Sequence, residues 1–128
     1  MKYFLFGILL VLFSTGAIAQ TDASEVNNAL KTGNAKVLSS NFHSSIDLTI
    51  LQKQGTYSKA QAEQIIQSFF DEHKPSSYKP NHTGASGDGS KYMIGTLETA
   101  KGNFRVYIYY KVIGGKELIQ TLRFESND

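Results

Sequence analysis

The sequence predicts an α+β domain, and three observations predict it: helical spacing of apolar residues after the leader, one long helix with a capping-box start, and two-residue alternation from Tyr78 onward, punctuated by glycine-bearing turns. A chain of 128 residues has room for one compact core. Thirteen Lys and Arg against eleven Asp and Glu give a formal net charge of +2, which supplies no strong field for nucleic acid. Cysteine is absent, which excludes disulfides, thiolate metal centres, a cysteine nucleophile and an acylated cysteine at the end of the leader.

The leader comes first. Lys2 precedes an apolar run from Tyr3 to Phe13, broken only by Gly7, and the small-x-small trio Ala17-Ile18-Ala19 follows. This is the order of a secretory signal peptide, and it predicts cleavage before Gln20. A membrane anchor is the rival reading, but an apolar core of about 11 residues falls short of the roughly 20 that a spanning helix needs. The expected organisation is a signal peptide over 1–19 and a single domain over 20–128, exported to a periplasm or the cell exterior with no stable membrane anchor after cleavage.

From Asp22 to Lys31, Val26, Ala29 and Leu30 fall on one helical face, Asp22 or Ser24 can cap the start, and Gly33 can end the helix with a positive φ. Asn34 is placed to cap a second short helix that carries Val37, Leu38 and Phe42 on one side. The period then changes from 3.6 to 2: Ile46, Leu48 and Ile50 alternate with Asp47 and Thr49 as a strand. Ser58 and Gln61 form the capping-box pair for the long helix, whose core face is Ala62, Ile65, Ile66, Phe69, Phe70 and His73. Gln64, Gln67, Asp71 and Glu72 occupy its solvent face, and Pro75 stops it.

From Tyr78 on, Asp88-Gly89, Lys101-Gly102 and Gly114-Gly115 divide the chain into four segments that read as an antiparallel meander. Register follows from sorting the faces, because a one-residue slip reverses every side chain. In the last hairpin, a three-residue turn from Gly114 to Lys116 pairs Val106 with Phe124, Ile108 with Leu122, Tyr110 with Gln120 and Val112 with Leu118 on the inner face, and Arg105 with Glu125 on the outer. A two-residue Lys101-Gly102 turn sets Leu97 beside Val106, Gly95 beside Ile108, Met93 beside Tyr110 and Glu98 beside Arg105. A two-residue Asp88-Gly89 turn brings His82 to the inner face opposite Gly95.

The polar residues expected inside are therefore His82, Tyr110 and Gln120, with Asp47 nearby on its isolated strand. These four are the candidates for a polar pocket floor, although each also has an ordinary role as a satisfied buried polar group. The opposite face carries Tyr92, Ile94, Tyr107, Tyr109, Ile113 and Ile119 among Lys111, Arg105 and Arg123. No helix remains to cover that face, so it is the expected contact surface of a homodimer. Single-strand nucleic-acid stacking on its tyrosines conflicts with the leader and the near-zero charge. His43, His73 and His82 share no metal-ligand spacing, and the pattern calls for no cofactor.

The stretches Ala29-Leu30-Lys31-Thr32-Gly33-Asn34-Ala35, Asp47-Leu48-Thr49-Ile50, Tyr57-Ser58-Lys59-Ala60-Gln61-Ala62, Ile94-Gly95-Thr96-Leu97 and Leu118-Ile119-Gln120-Thr121-Leu122-Arg123, in this order of elements, resemble a family of small exported bacterial proteins of unknown function. That family is similar to the nuclear transport factor two-like, or cystatin-like, superfamily. The resemblance covers nearly the whole mature chain and implies a curved antiparallel sheet wrapped around the N-terminal helices and the long helix as a cone. The superfamily includes ketosteroid isomerase and scytalone dehydratase, which use Asp, His and Tyr in the cone, and many noncatalytic binding or dimerising members. No enzyme motif of these can be laid on this chain residue by residue.

Two function classes follow. The first is an exported noncatalytic module that binds a small apolar ligand or a protein partner and dimerises through its outer sheet face. The alternative is a small-molecule lyase or isomerase, with His82 as base and Tyr110 as hydrogen-bond donor to a developing oxyanion.

Overall fold

The computed structural model describes residues 23–127, so the leader and its cleavage site lie outside the described residues. The elements run α1 (Ala23–Thr32), α2 (Ala35–Ser39), β1 (Phe42–Ile50), β2 (Lys53–Ser58), α3 (Lys59–Glu72), β3 (Pro75–Ala85), β4 (Lys91–Thr99), β5 (Gly102–Ile113) and β6 (Lys116–Ser126). The helix boundaries arise where the local chemistry places them. Gly33 takes φ +68° and ends α1, the Asn34 amide reaches back to the Ala29 carbonyl at 2.8 Å, and Asn34 Oδ1 accepts from the Val37 amide at 3.1 Å to open α2. At α3 the capping box is reciprocal: the Gln61 amide donates to Ser58 Oγ and the Ser58 amide to Gln61 Oε1, both at 3.3 Å.

All six strands form one sheet in the order β2-β1-β6-β5-β4-β3, a curved sheet with the helices packed on it. The meander from β3 to β6 is as expected, and two features go beyond it. First, β2 is an additional strand that reverses β1 through the two-residue turn Leu51-Gln52. Second, β1 is not isolated: it lies parallel to β6, with Leu48 opposite Leu122 and Ile50 opposite Phe124, so the sheet is mixed rather than wholly antiparallel. Phe42, expected on the second helix, begins β1 and is buried there.

Registers within the meander keep the predicted faces along β4 and most of β5 by different means, and change them at Ile119 and His82. Val106 pairs with Phe124, Ile108 with Leu122 and Arg105 with Glu125, as sorted from sequence. The extra residue, however, sits inside β6 rather than in the turn. Gly114 and Gly115 form a two-residue turn with φ of +59° and +78°, and Gln120 is a bulge between Ile119 and Thr121. Past the bulge Tyr110 faces Ile119 instead of Gln120, Val112 faces Glu117 instead of Leu118, and Ile119, expected outside, is fully buried.

The β4–β5 turn is Ala100-Lys101, one residue earlier than expected, so Leu97 faces Phe104, Gly95 faces Val106 and Met93 faces Ile108. A shift of two residues in the pairing preserves the side-chain faces. The β3–β4 connection is five residues, Ser86 to Ser90, and Asn81 after Pro80 interrupts the ladder, since proline has no amide to donate. His82 consequently faces Ile94 and is exposed, and Pro80 is the residue opposite Gly95.

The core is continuous from Val26 and Leu30 of α1, through Leu38 of α2 and Ile66 and Phe70 of α3, to Leu97, Val106, Ile108, Leu122 and Phe124 of the sheet. Removing each such side chain from water contributes about 1.5 to 3 kcal/mol before conformational entropy is counted against it. Two strand glycines in this sheet are seats for tyrosine rings. A Cβ at Gly95 would lie 2.3 to 2.6 Å from ring and hydroxyl atoms of Tyr78, and one at Gly84 would lie 2.2 Å from the ring of Tyr92.

Candidate functional site

The four residues expected to form a polar pocket floor are not brought together. Asp47 is exposed on β1, where its Oδ1 accepts from the Thr56 hydroxyl across the hairpin at 2.9 Å. His82 is exposed on β3. Gln120 is the half-buried residue of the bulge. Only Tyr110 is buried, and burial first, then the charges of Tyr78 and Glu117, pushes its phenol above the usual tyrosine range. A base at His82 working with Tyr110 therefore has no common space, because the β3 irregularity turned the histidine to the other side of the sheet.

A cavity of about 1050 Å³ opens elsewhere, between the turn joining β1 to β2 and the C-terminal half of α3. Its apolar lining includes Leu48, Ile50, Tyr57, Ile65, Phe69 and Phe104. The strands explain why these residues meet: the parallel pairing of β1 with β6 brings the end of β1 beside Phe124, and the start of β5 delivers Phe104 to the same end of the cone. Phe69 is the hub of this aromatic floor. Its ring centroid lies 5.2 Å from Phe104 in a T-shaped contact, 4.8 Å from Phe124, and 4.7 Å from the His73 imidazole, which stacks on it at 25°.

His73 caps α3 and joins the lining through a fixed geometry. Its amide donates to the Phe69 carbonyl at 2.8 Å, and its Nδ1 lies 3.2 Å from the same oxygen. A carbonyl can only accept, so Nδ1 is the donor in that bond. Phe104 meets the imidazole edge-on at 5.1 Å. Polar groups of the lining are Gln52, Lys53, Ser68, Glu72, Glu125 and Ser126, two carboxylates against one ammonium. Among the described residues, no carboxylate of the lining is hydrogen-bonded or ion-paired to His73, so the arrangement is an apolar seat with a polar rim rather than a poised acid–base couple. No group of three or more metal-ligating side chains occurs among the described residues.

His73 was legible only as a member of the core face of α3, and Phe104, Tyr57 and Glu125 carried no local signal for a pocket. One wall is built by Lys53–Ser58 through its pairing with β1, and only Thr56 and Tyr57 in that stretch are strong strand formers.

The turn at the pocket mouth has one unusual residue. Leu51 adopts φ +57°, the single non-glycine positive φ among the described residues, and the residue is 42% exposed. On the outer sheet face, Tyr92 pairs with Tyr109 and Ile94 with Tyr107, the Tyr92 and Tyr107 rings stack at 6.5 Å, and the Arg123 guanidinium stands 5.5 Å over the Tyr107 ring.

A crystal structure of a DUF4783 family protein from Bacteroides uniformis is similar at 34% identity, covering 84% of this chain and 98% of that one with a TM-score of 0.79. A second DUF4783 family protein, from Bacteroides ovatus, is 30% identical over 82% of this chain and 94% of its own, with a TM-score of 0.78. At the level of fold alone, a protein of unknown function with a cystatin-like fold from Nostoc punctiforme aligns at a TM-score of 0.60 and 16% identity, covering 80% of this chain and 84% of that one. The architecture is the nuclear transport factor two-like, cystatin-like cone. No curated protein matches the chain. The domain of unknown function DUF4783 matches residues 23–125, and with these relatives it establishes that the chain belongs to the DUF4783 family.

Proposed function

We propose that this protein is an exported, noncatalytic binding module whose ligand seat is the cavity between the β1–β2 turn and α3. The observation that carries the reading is the cavity itself: about 1050 Å³, floored by Phe69 and Phe104 and walled by Leu48, Ile50, Tyr57 and Ile65. Sites for drug-sized molecules are typically about 300 to 1,000 Å³, largely apolar, with a few polar groups that orient the ligand. The ligand class that suits this seat has an apolar or aromatic body and an uncharged or cationic polar end, because Glu72 and Glu125 outnumber Lys53 at the rim. N-phenyl-1-naphthylamine is a neutral probe of that shape. It should bind one to one, more tightly than its sulfonated relative 8-anilino-1-naphthalenesulfonate, and Ser68→Trp, which fills the seat from an exposed helix position, should abolish the signal. Equal probe binding by the Ser68→Trp variant would remove the reading.

The outer sheet face favours a second property, self-association. Tyr92 is 41% exposed, and with Ile94, Tyr107 and Tyr109 it forms an aromatic surface that no helix among the described residues covers. Tyr109→Glu should convert a two-fold dimer into a folded monomer in light scattering, since the substitution puts an unpaired charge into the contact. A wild-type protein that is monomeric at high concentration would end this part of the proposal.

A further inference from the structure

Leu51 stands at a position built for glycine. It is the first of the two residues, Leu51 and Gln52, that connect the last β1–β2 pair, Ile50 with Lys53, and it alone of the two takes a positive φ. An L-residue with a branched side chain is disfavoured in the left-handed region, and glycine is the residue such turns ordinarily use. The backbone does not let go because the Leu51 amide donates to the Phe124 carbonyl at 2.8 Å, extending the parallel ladder in which Ile50 faces Phe124. Leu51 is not part of the core that could repay the strain: the residue is 42% exposed, whereas Leu48, three residues earlier on β1, is buried. Leu51 does belong to the lining of the cavity, together with Ile50 and Lys53. A large apolar group is thus held in a costly conformation, exposed to water, at the mouth of an apolar seat.

Resting on the pocket reading above, we propose that Leu51 is the lip of that pocket, closing over the apolar body of the bound molecule and determining which molecules are held. Its exposed surface is removed from water only when the seat is occupied, so its contribution appears in affinity and not in folding.

The test uses N-phenyl-1-naphthylamine titrated into the wild type and the Leu51→Gly and Leu51→Asn variants, with urea unfolding of each. Glycine and asparagine both accept the left-handed conformation, so the turn survives in either. Expected is a roughly tenfold rise in Kd for both variants, about 1.4 kcal/mol, with the folding equilibrium constant unchanged or raised up to about fivefold by relief of the strain. Probe affinity equal to that of the wild type in both variants would overturn the lip while leaving the pocket reading intact. Loss of stability in both would overturn it too, because Leu51 would then be holding the fold. Failure of the wild type itself to bind the probe would overturn the pocket reading and the lip with it.

Discussion

Gly95→Ala is the sharpest test of how the sheet is packed, because its sign depends on one ring. Gly95 is buried on β4 with a backbone that any residue adopts, and in such a place alanine normally stabilises by about 0.4 to 1 kcal/mol through the unfolded chain. Here the new Cβ would lie 2.3 Å from the Tyr78 hydroxyl, 2.5 Å from Cζ and 2.6 Å from Cε2. Real carbon contacts do not occur below about 3 Å, so the ring must move by roughly an ångström. Tyr78 is 8% exposed and enclosed by the core, which makes the movement an overpacking event of about 1 to 3 kcal/mol. One term opposes it. The Tyr78 hydroxyl is buried without a hydrogen-bond partner among the described residues, and a displaced ring would regain part of the desolvation penalty of about 1 to 3 kcal/mol. After both opposing terms are subtracted, the net expectation is a loss of about 1 kcal/mol, or a fall in Tm of roughly 5 °C. Urea unfolding followed by far-UV circular dichroism measures it, and repeating the substitution in a Tyr78→Leu background should recover most of the loss. Wild-type stability in Gly95→Ala, or an equal loss in both backgrounds, would refute the placement of the ring.

Other outcomes follow from the same geometry. Gly84→Ala also brings a Cβ into a tyrosine ring, but Tyr92 is 41% exposed and can swing aside, so the cost should stay below about 1 kcal/mol in the same urea assay. Tyr78→Phe removes the unpartnered hydroxyl and should leave stability at neutral pH unchanged or raise it by about 1 kcal/mol. Burial raises the phenol pKa of both Tyr78 and Tyr110, so the folded chain keeps protons that the unfolded chain releases above about pH 10; stability is complete below that pH and falls above it. The slope should approach about 2.7 kcal/mol per pH unit from the two groups and about half of that in Tyr78→Phe, read from urea midpoints between roughly pH 10 and 11.5. Mass determination of the exported product should find Gln20 as its first residue; recovery of the uncleaved chain would contradict the leader reading.

Local chemistry was sufficient for the helix starts, their caps and the faces of the regular stretches of the sheet. Gly33, Asn34, Ser58 with Gln61, and the alternation of Val106, Ile108, Leu122 and Phe124 act through neighbours a few residues away or through the fixed two-residue period of a strand, so their consequences are written in the sequence. Irregularities were not. Whether the extra residue of the last hairpin enters the turn or the strand leaves the pairing of Val106 with Phe124 unchanged, so the face pattern there could not place the bulge at Gln120. The same ambiguity at Asn81 turned His82 from the inner face to the outer, and with it the proposed polar floor. The pocket itself is a product of long-range pairing. Only the parallel union of β1 with β6 carries Ile50 and Leu51 to the strand end where Phe104 and the α3 residues Phe69 and Glu72 converge, and no periodicity along the chain encodes which distant strand will be the neighbour. The sequence by itself determined the three helices, the meander and the apolar side of their regular stretches, because those depend on local geometry; the tertiary structure decided the added strand β2, the bulges and which apolar side closes as core and which stays open, because that depends on how the edges meet.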